Sequence, residues 1–271
     1  HIANLGSLGA IAQSKGEIFA GLAKQGTAVI SADEKFATMW RVLAGSHPLV
    51  EFALEAPAPV SAKVQVLDYI QLIEVATPLG RFTAKLQVPG LHNVRNALAA
   101  TAAAVVLKIS PAVIAAGLEK FSGVAGRLQR RPSLHGAVVI DDSYNANPMS
   151  MLAAIEVLAQ AGGKKILVLG DMGELGIEAA KMHAEMGAAA RKLGVDKMFA
   201  LGELSSYAVK EFGAGAQHFQ SIEELLAALK KELGKDCTVL VKGSRFMKME
   251  RVVKELASGG TEAADAAPAH H

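Results

Sequence analysis

Two adjacent carboxylates, Asp141 and Asp142, close a short apolar run and lead into Ser143, Tyr144, Asn145, Ala146, Asn147 and Pro148. A loop from a strand into a helix needs only a cap, and Asn147 before Pro148 supplies one. The paired acids and second asparagine exceed that need. They suit ribose hydroxyls, metal-bound water or a phosphate-linked proton network, and turn chemistry alone is the plainer alternative. Arg127, beside Arg130 and Arg131, follows Gly126; there a guanidinium can grip phosphate oxygens two at a time, unless it is simply a solvated linker arginine. In Val241-Lys242-Gly243-Ser244-Arg245 an apolar run turns through glycine into a helix start. Its free N–H groups, a Ser244 cap and the charge of Lys242 or Arg245 could receive a carboxylate. Asp171, in Gly170-Asp171-Met172-Gly173-Glu174, also follows an apolar run and could line the same site. Lys15 falls within the helical stripe Leu8, Ile11, Ala12, Ile18, Phe19 and Leu22. A lysine there either snorkels to water or is partly desolvated, which favours a neutral amine able to react with carbon dioxide. His92 and Asn96 stand four apart, on one face of a helix start that Asn93 would cap.

The elements that must position these groups follow from periodicity. Ser7 is the expected N-cap of a helix reaching Leu22; Ala28–Ser31 reads as a strand, Glu34–Leu43 as a helix and His47–Gln87 as several strands. Alanine-rich helices are expected at Asn93–Leu107 and Pro111–Phe121, the second with Ser110 as cap and Pro111 in its first turn. Beyond Arg131, short apolar strands alternate strictly with amphipathic helices: Ala137–Asp141, Pro148–Gln160, Lys165–Leu169, Ile177–Leu193, Lys197–Leu201, Ile222–Leu233, Thr238–Val241 and Arg245–Leu256. That rhythm predicts an α/β fold with a parallel, doubly wound sheet, whose ligands bind at the carboxyl ends of the strands. Gly126–Pro132 interrupts the pattern and marks a domain boundary.

With 271 residues, 51% hydrophobic and 20% charged, the chain can bury one large or two modest cores. A net charge of +2 with dispersed basic residues excludes a nucleic-acid footprint. No apolar run is long enough for a membrane span, and the single cysteine, Cys237, reads as a core residue in a reducing cytoplasm. His183 and His135 read as helix-surface and loop residues, and the methionines as packing.

DDSYNANP (141–148) is similar to the segment that opens the C-terminal domain of the Mur ligases. Other stretches agree in order and spacing: PGLHNVRNALAA (89–100), GVAGRLQ (123–129), LGDMGELG (169–176), VKGSR (241–245) and the opening HIANLGSLGAIAQSKGEIF. The likeness covers nearly the whole chain and leans toward the branch that adds D-alanyl-D-alanine. It implies that residues 1–127 are the second half of a central ATP-binding α/β domain, residues 128–258 a Rossmann-like doubly wound C-terminal domain, and residues 259–271 a disordered tail.

The resemblance also implies roles. Lys15 would be carbamylated and, with His1, would hold magnesium. Asn96, with His92 beside it, would meet adenine; Arg127 would meet the ATP phosphates; Asp142, with Asn147, would serve the ribose. Lys242, Ser244, Arg245 and Asp171 would receive the incoming dipeptide. The implied reaction is ATP-dependent amide formation through an acyl phosphate, joining D-alanyl-D-alanine to UDP-N-acetylmuramoyl-tripeptide, in a cytoplasmic, monomeric enzyme. The Gly-x-x-Gly-Lys-Thr phosphate loop of that family does not occur in these residues, so the chain is expected to be a fragment and inactive alone. Another ligase of the superfamily, folylpolyglutamate synthase, or a non-catalytic nucleotide-binding module on the same fold stay open as alternatives. The absence of an Asp-Asn-Pro-Arg segment counts against the diaminopimelate-adding ligase.

Overall fold

A computed structural model describes residues 7–67 and 70–257. The chain forms two compact units, His1–Gly123 with Glu174–Gly176, and Val124–Gly173 with Ile177–His271.

In the first unit Ser7 caps helix α1 (Leu8–Gly16) by accepting the Ala10 N–H at 3.1 Å. The helix ends before the expected Leu22 and gives way to a 3-10 turn, Glu17–Gly21. Its buried positions are Ala12 and Gly16. Both meet α2 (Ala37–Ala44): Trp40 Nε1 donates to the Ala12 carbonyl at 2.8 Å, and a Cβ on Gly16 would come within 2.4 Å of Leu43. Strands β1 (Ala28–Ser31), β2 (Leu49–Ala53) and β3 (Val60–Leu67) pair in parallel, and β4 (Ile70–Thr77) and β5 (Gly80–Leu86) continue antiparallel, in spatial order β1-β2-β3-β4-β5. Helices α3 (Leu91–Val106) and α4 (Pro111–Lys120) contribute Val94, Leu98, Ala102 and Ile114 to a core with Val60, Ile73, Val75, Ala84 and Leu86. Because only one face of β4 enters that core, its residues alternate between buried and accessible.

The second unit is the doubly wound sheet. Its strands are β6 (Gln129–Pro132), β7 (Val138–Asp142), β8 (Lys164–Gly170), β9 (Lys197–Leu201), β10 (Ala216–Phe219) and β11 (Cys237–Lys242), in spatial order β10-β9-β8-β11-β7-β6. All neighbours are parallel except β6, which runs antiparallel to β7. The helices are α5 (Pro148–Ala159), α6 (Ala179–Lys192), α7 (Ser205–Phe212), α8 (Ile222–Lys230) and α9 (Glu250–Ala257). Val139, Val168, Phe199 and Val239 pack on α8 and α9 through Leu225, Leu229, Val252 and Leu256. The alternate positions Ile140, Leu167, Leu169 and Leu240 are equally buried, so both faces of the central strands are covered. Each fully buried large apolar side chain of these strands contributes about 1.5–3 kcal/mol to the unit. Cys237 belongs to this core, and burial pushes its thiol up, away from the reactive thiolate. No helix among the described residues is long and apolar enough to cross a membrane.

Candidate functional site

The parallel register of the second unit puts the ends of β8, β11 and β7 side by side, with Lys242 directly opposite Asp142 and Leu169. Lys242 Nζ lies 2.5 Å from Asp142 Oδ2 and also donates to the Asn145 carbonyl at 2.9 Å. Asp142 Oδ1 accepts the Leu128 N–H at 3.1 Å. Burial raises the Asp142 carboxyl above its ordinary range, opposed by the Lys242 cation and the Leu128 amide. Both members of the pair are nearly inaccessible, with side chains 3% and 12% exposed. Lys242 was expected to offer charge to a carboxylate and Asp142 to face ribose. Each is instead turned inward, because the register makes them cross-strand partners on a covered face of the sheet.

Ser244 joins the same three loops. Its Oγ accepts the Gly173 N–H at 2.8 Å and donates to the Ala146 carbonyl at 3.1 Å, while its N–H donates to the Asp171 carbonyl at 2.9 Å. It does not cap a helix with its side chain, and the element after it is a three-residue 3-10 turn, Arg245–Met247. The left-handed Lys248, at φ 51°, separates that turn from α9, so the continuous helix expected from Arg245 is broken and its amide receptor for a carboxylate is not built. Asp171, expected to line the acceptor site, accepts the Ser205 N–H at 2.7 Å and the Leu204 N–H at 3.2 Å, which makes it the cap of α7. Asn147 and Ser150 form a reciprocal capping box at the start of α5, so the Asn147 carboxamide oxygen is engaged there. Gly170 and Gly243 let two of these loops meet, since a Cβ on Gly243 would stand 3.0 Å from the Gly170 Cα.

His183 was expected on a helix surface and is fully buried. Its Nε2 accepts the Met172 N–H at 2.8 Å, and its Nδ1 faces the Ala179 carbonyl at 2.7 Å. An amide donor on one nitrogen and a carbonyl acceptor on the other fix a neutral ring protonated at Nδ1. The histidine therefore braces the loop that follows β8. With Met186, Gly187 and Ala190 it forms the buried stripe of α6, and that helical period is the signal that could have found it.

Outside this bonded layer lie the accessible groups. Arg127, Tyr144 and Arg245 are exposed. Arg127 and Arg245 both stand over the Tyr144 ring, at 4.7 Å and 6.0 Å from its centroid. Beside them a cavity of about 590 Å³ is lined by Gly126, Arg131, Asp141, Tyr144, Arg245 and Glu250 among others. Asp141 holds Ser143 through Oδ1, at 2.6 Å to the hydroxyl, and its Oδ2 lies 3.8 Å from Arg131 Nε. Cations and an aromatic face around an open cavity can hold a phosphate or a carboxylate, whereas the buried pair beneath cannot reach one.

The first unit carries its candidates separately. Lys15 is exposed, because α1 turns Ala12 and Gly16 inward and leaves Lys15 on its outer face; the desolvation expected from the apolar stripe is not present. His1 lies outside the described residues. Helix α3 begins at Leu91, with Gly90 at its N-cap and no side-chain cap. Asn93 is not the cap; inside the first turn, it donates to the Pro89 carbonyl at 2.7 Å. A Cβ on Gly90, at φ 93°, would meet the His92 ring at 2.5 Å, so glycine lets that ring fold over the helix start. Asn96, one turn on, is exposed and its Nδ2 reaches Asn93 Oδ1 at 3.3 Å.

Comparison with known proteins gives the same division. The Mur ligase middle domain matches residues 1–104, and the Mur ligase, glutamate ligase domain matches residues 126–245. The UDP-N-acetylmuramoyl-tripeptide--D-alanyl-D-alanine ligase of Escherichia coli (strain K12) is 36% identical over 265 residues, which are 96% of this chain and 58% of that protein. Among solved structures, MurF from Acinetobacter baumannii matches with a TM-score of 0.87 at 34% identity, over 95% of this chain and 57% of that one. The MurF ligase from Thermotoga maritima in complex with ADP has a TM-score of 0.82 at 23% identity, over 94% of this chain and 58% of that one, and attests to the fold alone. The chain thus spans a little over half the length of the relatives it matches.

Proposed function

The chain belongs to the Mur ligase family, and on that premise we propose that the protein containing it joins D-alanyl-D-alanine to UDP-N-acetylmuramoyl-tripeptide at the expense of ATP, in the synthesis of peptidoglycan precursors. The observation that carries this reading is the bonded layer formed by Asp142, Lys242, Ser244 and Asp171, which fixes three strand-end loops and presents Arg127 and Arg245 above it. Such a layer costs little reorganisation when charge develops during reaction.

The tripeptide's terminal carboxylate oxygen attacks the γ-phosphorus; the new O–P bond forms as the bond to the bridging oxygen breaks and ADP leaves. The dipeptide amine then attacks the acyl carbon, loses a proton, and the tetrahedral intermediate expels phosphate to leave an amide. Positioning and charge neutralisation dominate such phosphoryl transfer. Arg127 serves the phosphates and Arg245 the dipeptide carboxylate. Lys242, Asp142, Ser244 and Asp171 act by holding the loops that carry these contacts, and Asn147 by starting α5 in place. Asn96, with His92 beside it, is the adenine contact on the first unit.

Magnesium, with a carbamylated Lys15 and His1, belongs to the reading as the resemblance supplies it. Among the described residues no group of three histidine, cysteine or carboxylate side chains is placed to hold a metal, and Lys15 stands in solvent. His1 lies outside the described residues, and no step of the reaction is routed through the ion. A cytoplasmic, monomeric enzyme is the setting proposed.

Phosphate release by the full-length protein with ATP and UDP-N-acetylmuramoyl-tripeptide tests the assignment. Release should require D-alanyl-D-alanine. Equal release with glutamate or diaminopimelate in its place would overturn the choice of acceptor.

A further inference from the structure

Tyr144 is the large side chain of the 141–148 segment that the proposed reaction leaves without a task. The residue is 48% exposed, yet two guanidiniums stand over its ring: Arg127 from the turn before β6, and Arg245 from the loop after β11. The backbone supports the same pairing. The Tyr144 N–H donates to the Gly126 carbonyl at 3.1 Å, and Gly126, at φ 74°, packs tightly there, since a Cβ would lie 3.1 Å from both the nitrogen and the Cβ of Tyr144. The turn bearing Arg127 is therefore seated on Tyr144 itself. From the other side Arg245 is steadied by Glu250 at 2.9 Å. Each guanidinium is attracted by the electron-rich ring it stands over.

We propose that Tyr144 is a positioning residue that holds Arg127 and Arg245 on one ring and so sets the spacing between the phosphate-binding cation and the carboxylate-binding cation. The roles given to the two arginines rest on the proposed function; their capture by the ring does not.

Proton–nitrogen NMR of the full chain, with Arg127→Ala and Arg245→Ala used to assign the signals, tests both parts. The arginine Nε–H protons should resonate upfield, under the ring. Tyr144→Leu should return them to the position of free arginine and weaken sodium tripolyphosphate binding at low salt about fivefold, the size expected of a half-exposed cation–π contact. Tyr144→Phe should keep both properties. Tyr144→Trp, with the best ring for a cation, should bind tripolyphosphate at least as tightly as the parent, which a loss of packing would not produce. Unshifted arginine signals in the parent chain, or a Tyr144→Phe loss as large as that of Tyr144→Leu, would overturn the proposal. Ring-shifted signals that Tyr144→Leu abolishes, together with equal tripolyphosphate binding by the parent and Arg127→Ala, would support the positioning role and refute the phosphate role of Arg127.

Discussion

The two units use charged and polar residues in opposite ways. In the second, the strands carrying the motif residues are buried on both faces, β11 along its whole length. A polar group at such a strand end must find a partner, since an unpaired buried donor or charge is costly. Asp142, Lys242, Ser244, Asp171 and His183 accordingly bond to one another's loops. In the first unit the sheet is mixed and partly open, and Lys15 and Asn96 lie on exposed faces of helices. Their side chains meet solvent, so structure makes little demand on them. Polar residues at motif positions are thus structural braces where they are buried and are left accessible where they are not.

The largest effect that would break this contrast is at the buried pair. Removing one partner leaves an uncompensated charge, so Lys242→Met should cost about 3–5 kcal/mol in urea unfolding followed by far-ultraviolet circular dichroism. The double variant Asp142→Leu, Lys242→Met should recover most of it. Strict additivity of the two changes would show that they do not act as a pair. Next in size, His183→Phe leaves the Met172 N–H without its acceptor, an expected loss of about 1–3 kcal/mol in the same measurement. Asp171→Ala should cost about 1–2 kcal/mol, as for the removal of a helix cap, and should loosen amide protection at Leu204 and Ser205.

Unit 1 has one site that resembles unit 2 in kind, and pH exposes it. The Asp33 carboxylate accepts the N–H groups of Leu54, Glu55 and Ala56 at 2.6, 3.1 and 2.7 Å. Its partial burial works to raise the carboxyl, but the three amides and the Arg95 guanidinium together hold it below its usual value. A carboxyl depressed in the folded state stabilises above its unfolded value, near about 3.9, and loses that contribution as pH falls through the folded one. Trp40, the single tryptophan and a unit 1 residue, reports the change. Its fluorescence transition should shift to lower urea between pH 6 and pH 3 in the parent chain, and by less in Asp33→Asn. An identical shift in both would remove Asp33 from the explanation. The smallest effect belongs to Lys15→Ala, expected within about 0.5 kcal/mol by the same fluorescence because the side chain is exposed.

Much of the second unit was legible because its strands are uniformly apolar and its helices are locally capped. Asn147, Pro148 and Ser150 announce α5, and Ser221 announces α8 by accepting the Glu224 N–H. Helix α7 and strand β10 were not legible. The α7 cap comes from Asp171, more than thirty residues away, and β10 is four residues of which none is buried. The antiparallel β6 was hidden by its polar sequence, Gln-Arg-Arg-Pro. At the candidate site, residue types pointed to loops that the fold brings together, while the direction of each side chain depended on strand register, which local pattern does not reveal. That is why Lys242 and Asp142 face each other and why Asp171 caps a distant helix; His183, by contrast, follows the helical period of α6. The apolar stripe around Lys15 is not buried as a whole: Leu8 and Ile18, which suggested it, are 57% and 69% exposed.

The second unit's motif residues brace a bonded layer, whereas the first unit's candidates do not, and native-state amide hydrogen exchange on the full chain tests this residue by residue. The N–H groups of Leu128, Met172, Gly173 and Ser244 all donate within that layer, to Asp142, His183, Ser244 and Asp171 respectively. They should exchange only with the slow opening that also frees the central strand β11, and Lys242→Met should accelerate them as a group. Exchange of these four amides at the rate of the exposed first turn of α1, in the parent chain, would contradict the account.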